Sequence, residues 1–292
     1  MISPDSSLIA CRLLQDASAI LLWGACGYLF ACVPPTLSSD TVRQLRPLLA
    51  IAAAVLVAST GLLLPVNAAF VGDGWSDALD LATIQAFLFD TNLGPVWIAQ
   101  ALLALVVLLA TMRRDPSIGF AALGAALFLS CHIFLGHAVR LQGPAGLMLQ
   151  ASYLVHVLAV GAWLGALVPF IVMLRHQGAS SQDDFALAMR RFSSAGHLVV
   201  GLIIVTGVLN AWLIHGRLWP AWHSLYDQLL AAKVIVVSVM VMIATCNRYV
   251  LVPRLKRGDG SMRALIWLSC SEVALGSLAL VLVSLFSSFD PA

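Results

Sequence analysis

The chain has 292 residues, of which 61% are hydrophobic and only 10% charged, with a net charge of +2. An ordinary soluble domain is roughly a quarter charged, so this composition excludes a soluble enzyme or a nucleic-acid binder. Apolar stretches long enough to cross a bilayer recur along the whole length, which points to one integral membrane domain.

In chain order, the expected class is all-α: a polytopic transmembrane helical bundle of about eight spans. The spans read from the sequence are Leu8–Cys32, Pro47–Ala69, Leu93–Met112, Ile118–Gly136, Leu147–Leu174, Ser194–Ile214, Gln228–Cys246 and Met262–Ser287. Proline and glycine punctuate the gaps, at Pro34-Pro35, Gly72-Asp73-Gly74, Pro116, Gly143-Pro144, Pro220 and Gly258-Asp259-Gly260. Trp75–Thr91 is apolar but holds Asp77, Asp80 and Asp90, so it reads as an interfacial amphipathic helix. Met1–Ala10 has no basic residue and no small-residue cleavage site follows, so it does not read as a cleaved signal. The simplest organisation is a single domain, 1–292, made of two four-helix halves, 1–136 and 137–292.

Lys and Arg set the orientation. Arg43, Arg46, Arg113, Arg114, Arg175, Arg190, Arg191, Arg248, Arg254, Lys256, Arg257 and Arg263 all fall on odd-numbered connections. Arg12, Arg140, Arg217 and Lys233 fall on the other side or at the outer ends of spans. Both termini are therefore expected on the periplasmic side of a Gram-negative inner membrane. The six cysteines are scattered without a C-x-x-C pair, which argues against a disulfide framework or a zinc knuckle.

The polar groups inside the spans carry the functional argument. His156 lies in a run, Leu147–Leu174, with no Asp, Glu, Lys or Arg. An ionisable or ligating group in that setting is a functional-site candidate by default. His137 sits at the outer mouth of the fourth span, and His132 lies five residues deeper, about 7 Å at the helical rise. His156 is expected roughly 12 Å below the outer end of its span. Met148 lies eight residues before His156, at the head of the same span. His132, His137 and His156 can line one descending route, with Met148 on roughly the same helix face as His156 and His197 near the inner end of the sixth span. Imidazole and thioether together suit copper, and sulfur ligands favour Cu(I). The bland readings compete: His137 as a helix cap at headgroup level, and His132 as a bundle histidine bonded across helices. No H-E-x-x-H or other compact metal motif is present.

Arg12 and Asp16 are spaced to pair on one helix face, and Lys233 and Glu272 are further intramembrane charges. Lys233 is expected to pair with Asp16 or Glu272, either as a structural network or as a relay of charge. Asn210, Thr206 and Gln100 read as interhelical hydrogen-bond glue, and Gly161 and Gly165 around Trp163 as a close-packing stripe.

Several of these pieces resemble one family closely, the copper resistance protein D (CopD) inner-membrane proteins. They are Gly136-His137-Ala138, His156-x6-Trp163-Leu164-Gly165, Arg191-Phe192-Ser193, Thr206–Ala211, Tyr226–Lys233 and Asn247-Arg248 through Pro253-Arg254. The resemblance runs over nearly the whole chain and implies copper transport or handling across the bacterial inner membrane, from periplasm inward, in copper homeostasis and resistance. It implies copper, as Cu(I) or Cu(II), and a periplasmic CopC-type copper-binding partner; no nucleic acid enters. His137 and His156 fall on the family's motif positions, and His197 matches only some relatives. Some relatives carry histidines where this chain has Gln15, Leu149 and Tyr153, so its outer site has fewer imidazoles.

A copper permease is the first reading, and it is not an enzyme. The chain has no G-x-x-x-x-G-K-[ST] motif, so any driving force is a gradient, a redox change or a partner. The alternatives are a heme-binding membrane redox protein held by two histidines, with heme as cofactor only in that case, and a copper receptor or assembly factor.

Overall fold

The computed structural model describes residues 3–136, 141–176, 182–216, 225–256 and 261–286. Among them every regular element is helical: α1 Pro4–Ala31, α2 Pro35–Val71, α3 Leu81–Asp90, α4 Leu93–Met112, α5 Ile118–Ser130, α6 Gly143–Arg175, α7 Gln182–His215, α8 Leu225–Cys246, α9 Val252–Lys256 and α10 Met262–Phe286. Short 3-10 turns cover Trp75–Asp77 and Cys131–Phe134, and a π-turn covers Asn247–Leu251. The chain is a multi-pass, all-α membrane bundle. Seven of the helices are long and apolar enough to cross a bilayer.

The expected fourth span is the short one. α5 has 13 residues, and the 3-10 turn adds 4. It runs antiparallel to α1, with Gly119 against Phe30 at one end and His132 against Asp16 at the other. The stretch of α1 from Asp16 to Phe30 rises about 21 Å at 1.5 Å per residue, so α5 covers most of a hydrocarbon core about 30 Å thick.

Helix ends differ most from the sequence reading. α2 starts at Pro35 and runs straight through Pro47 and Pro65. Its 37 residues span about 55 Å, so its inner end rises out of the membrane as a helix carrying Arg43 and Arg46. Pro47 does not start the helix, because proline inside a bundle helix is tolerated when neighbours satisfy the freed carbonyl. α7 likewise begins at Gln182 and not near Ser194, with Asp183 and Asp184 in its first turn complementing the positive end of the helix dipole. The apolar stretch at Trp75–Thr91 divides, because Asp80 caps α3 by accepting from the Thr83 N–H at 2.8 Å.

α1 is the hub, with α2, α5, α6 and α10 packed around it. Leu22, Cys26 and Leu29 on α1 are fully buried in the main core with Leu56, Val107, Phe128 and Leu167. α1 and α6 cross at glycines. A methyl on Gly24 would strike the Gly161 carbonyl and the Gly165 backbone, and one on Gly165 would strike the Ile20 carbonyl. Small residues let two backbones touch where lipid gives no hydrophobic drive. Trp23 Nε1 donates to the Leu158 carbonyl at 2.9 Å across the same crossing. α7 packs on α6, and α8 on α10.

Candidate functional site

Two polar layers cross the bundle, separated by an apolar one. The outer layer gathers on α1, α5, α6, α7 and α8. The inner layer gathers where α1, α7, α10 and the π-turn meet.

His156 holds the centre of the outer layer. α6 begins at Gly143, so His156 sits about 20 Å along its helix. Its Nδ1 lies 2.9 Å from Thr206 Oγ1. The Thr206 hydroxyl has one hydrogen and gives it to the Leu202 carbonyl at 2.5 Å. It must therefore accept from His156, which puts the imidazole proton on Nδ1 and leaves the Nε2 lone pair free. Gly207 faces the ring, where a methyl would make ordinary contact at 3.4 Å. Ser152, one turn outward on α6, donates to the Thr206 carbonyl at 3.4 Å. Asn210, one turn outward on α7, buries its Oδ1 without a partner among the described residues. Lys233 on α8 is close enough for its charge to act on the His156 ring.

His132 and Asp16 form the second outer feature. His132 Nε2 lies 2.9 Å from Asp16 Oδ1, and Nδ1 lies 3.0 Å from the Leu129 carbonyl. A carbonyl only accepts, so Nδ1 donates, and Nε2 and the carboxyl share the remaining proton. Both ring nitrogens are thus engaged. In this arrangement His132 has no lone pair for copper, and none for the axial position of a heme shared with His156. Gln15 Nε2 donates to Thr60 Oγ1 at 2.9 Å behind it. Leu149 is fully buried, and Tyr153 lies within electrostatic reach of Asp16 and Tyr226.

The other sequence candidates scatter. Met148 is 46% exposed on the outside of α6 and does not share the buried layer with His156. His137 lies outside the described residues. Arg12 is exposed near the outer end of α1, one turn above Asp16, whose charge it feels. Asp16 meets His132 Nε2 at 2.9 Å, and Glu272 accepts from Asn247 Nδ2 at 3.2 Å. His197 belongs to the inner layer, nine residues from Thr206 on α7, about 14 Å away. Its Nδ1 donates to the Ser193 carbonyl and its Nε2 meets the Tyr249 hydroxyl, both at 2.9 Å. Among the described residues no three His, Cys, Asp or Glu side chains converge on one point.

Ala159, Trp163, Ile203 and Met240 form the apolar layer between the two. Each helical member lies about one turn or more inward of an outer-layer group on its own helix. Below it opens a cavity of about 700 Å³, walled by Trp23, Trp163, Phe170 and Phe192, with His197, Asn247, Arg248, Tyr249 and Glu272 at its polar end. Arg248 donates to the Ser193 carbonyl and lies over the Tyr249 ring, while Arg191 Nη1 donates to the Cys32 carbonyl at 3.4 Å. These contacts tie the π-turn to α7 and α1. Pro253 is the second residue of the short α9 that follows.

Residues 1–147 match the family model for the copper resistance protein D-like N-terminal domain, and residues 186–286 match that for copper resistance protein D. The inner membrane protein YebZ of Escherichia coli K12 is 32% identical over 287 residues, covering 97% of this chain and 98% of the relative. The chain belongs to the copper resistance protein D family. Copper resistance protein D of Pseudomonas syringae pv. tomato is 26% identical over 304 residues, covering 98% and 97% of the two chains. The copper transport protein CutJ of Bacillus subtilis 168 is 29% identical over 264 residues, 86% of this chain but 47% of that longer protein. No solved structure matches. Family membership places the chain in copper homeostasis as a multi-pass protein of the inner membrane.

The sequence reading missed two features that the fold brings together. Asp16 and His132 are 116 residues apart in the chain, and Asn247 and Glu272 are 25 apart. The signal available was only that each is polar inside an apolar run. The Thr206 hydroxyl was visible as interhelical glue, but not as the group that sets the His156 tautomer.

Proposed function

We propose that the protein moves copper from the periplasm towards the cytoplasm, with the free Nε2 of His156 as the intramembrane ligand. The observation that carries this reading is the Thr206 acceptor, which turns a buried histidine into an oriented metal ligand. Copper enters past His137, reaches His156, crosses the apolar layer beside the Met240 thioether and emerges in the inner cavity near His197. Imidazole followed by thioether suits Cu(I). Met148, exposed at the head of α6, serves capture at the outer surface. His132 serves by holding Asp16, in the reading that fits its engaged nitrogens.

The site is poor by design for permanent storage. A single imidazole with a lysine acting on it holds a cation weakly, and transport needs sites that release as readily as they bind. A periplasmic CopC-type protein is the source that would deliver copper to such a weak site. Asp16, Lys233, Glu272 and Arg12 are the charges available to couple copper movement to a gradient.

The test of direction is copper accumulation in right-side-out and inverted membrane vesicles carrying the full chain. Accumulation in right-side-out vesicles alone supports inward transport. Accumulation in inverted vesicles alone reverses the direction. Copper bound to the purified protein with no flux in either orientation makes it a receptor.

A further inference from the structure

Of the charges available for coupling, Glu272 stands in the inner layer beside a break in α8. α8 does not end as a regular helix. Its last turn widens into the π-turn Asn247–Leu251, an arrangement found mostly at functional sites. The turn places Asn247 inward, where it is 8% exposed, against Glu272, which is 2% exposed and stands in the inner half of α10. Asn247 Nδ2 donates to Glu272 Oε1 at 3.2 Å. Asn247 Oδ1 is buried with no hydrogen-bond partner among the described residues. An amide oxygen and a carboxyl thus stand side by side with a single neutral N–H between them.

That arrangement lacks one positive group. A buried carboxylate held by one neutral donor is poorly compensated, and a buried amide oxygen without a donor is a further cost. The neighbouring charged and titratable groups are committed elsewhere. Arg248 is turned to Ser193 and the Tyr249 ring, His197 has both nitrogens engaged, and Arg175 reaches Cys270 on α10 at 3.9 Å. Tyr28 donates to the Ala188 carbonyl, and Cys32 lies at the far wall. Asn247 and Glu272 both line the inner cavity, which reaches the surface at the exposed Tyr249 and Phe30.

We propose that Asn247 Oδ1 and the Glu272 carboxyl form a seat for a monovalent cation, a proton or Na⁺, loaded from the cytoplasmic side through the inner cavity. Oxygen donors at a break in a membrane helix are the form that coupling-ion sites take in transporters. A proton on Glu272 donates to Asn247 Oδ1 and removes the buried charge; a sodium ion bridges the same two oxygens. The inference rests on the transport reading only for what the cation drives. Its binding is independent of copper.

The test is infrared difference spectroscopy of the full chain in lipid nanodiscs, without copper, comparing wild type with Glu272→Gln and Asn247→Ala. The expected result is a protonated-carboxyl absorption at neutral pH that Glu272→Gln removes. If NaCl but not choline chloride abolishes that band, the ion is sodium. If the band ignores sodium and titrates with pH alone, it is the proton. Asn247→Ala keeps the carboxyl and shifts its cation affinity by at least about tenfold. Where Glu272→Gln fails to fold, the Asn247→Ala comparison carries the test alone. The proposal is overturned if wild type shows no protonated carboxyl and no sodium response, or if Asn247→Ala leaves both unchanged. Lost copper flux with an intact band sinks the transport reading alone, whereas intact flux without the band sinks only this seat.

Discussion

Thr206 decides how His156 behaves. Thr206→Val keeps the shape and removes the acceptor at Nδ1, so the imidazole is free to turn and change tautomer. Loss of such a supporting group costs roughly 10–100-fold in metal affinity, and copper titration of the purified variant checks it. An unchanged affinity would mean that Thr206 does not orient the ligand. The His132–Asp16 pair belongs to stability instead. His132→Ala leaves a carboxylate partly buried without its partner, at a cost of about 1–3 kcal/mol. Asp16→Asn in the same chain recovers part of that cost, because the stranded charge is gone. Thermal unfolding of the two single variants and the double variant measures the coupling. At this scale the sequence was half legible. A histidine in an uncharged run announces itself, because a polar group in hydrocarbon is expensive. Which group meets it depends on how α6 and α7 lie together, and nothing local to His156 encodes that. The same gap explains Met148: helical spacing placed it near the His156 face, but the packing of α6 leaves it outward.

The α1–α6 crossing is the joint that holds the elements together. Gly24→Leu sets a side chain against the backbone of Gly161 and Gly165, which has no flexible end to give way. Overpacking of this kind costs about 1–3 kcal/mol, and this contact belongs at the upper end. Loss of a monodisperse peak in size-exclusion chromatography is the expected outcome. At the outer surface, the Thr83 hydroxyl and N–H hold the exposed Asp80 carboxyl below the ordinary carboxylate range. Because the folded value is the lower one, the cap is complete above the ordinary range and is lost as pH falls through the lowered value. Amide exchange in Leu81–Asp90 should therefore accelerate in acid, and Asp80→Ala should remove that pH dependence. Helix existence was legible throughout, since each run is long and apolar. Helix ends were not. Pro47 signals a boundary by local rules, yet α2 continues through it, and α7 begins at Gln182, twelve residues before the apolar run at Ser194. The π-turn at Asn247 has no local signature, because it answers to contacts with α7 and α10.

At the scale of the whole molecule, the bundle is built as two polar layers with an apolar layer between them. His156 stands above that layer, and the cavity with His197 and Glu272 lies below it. Under the transport reading, helices must shift for copper to pass that layer, as alternating access requires. The helical membrane class was legible from composition, and the family from its motifs, while the cavity exists only in the packed bundle. The most direct measurement is copper flux into vesicles reconstituted with wild type or His156→Ala at equal protein content. The account predicts saturable flux in wild type and a fall of at least about tenfold in the variant, the loss of a ligand worth more than about 1.4 kcal/mol at the barrier. Equal flux in the two proteins would contradict it, and would make His156 a packing residue.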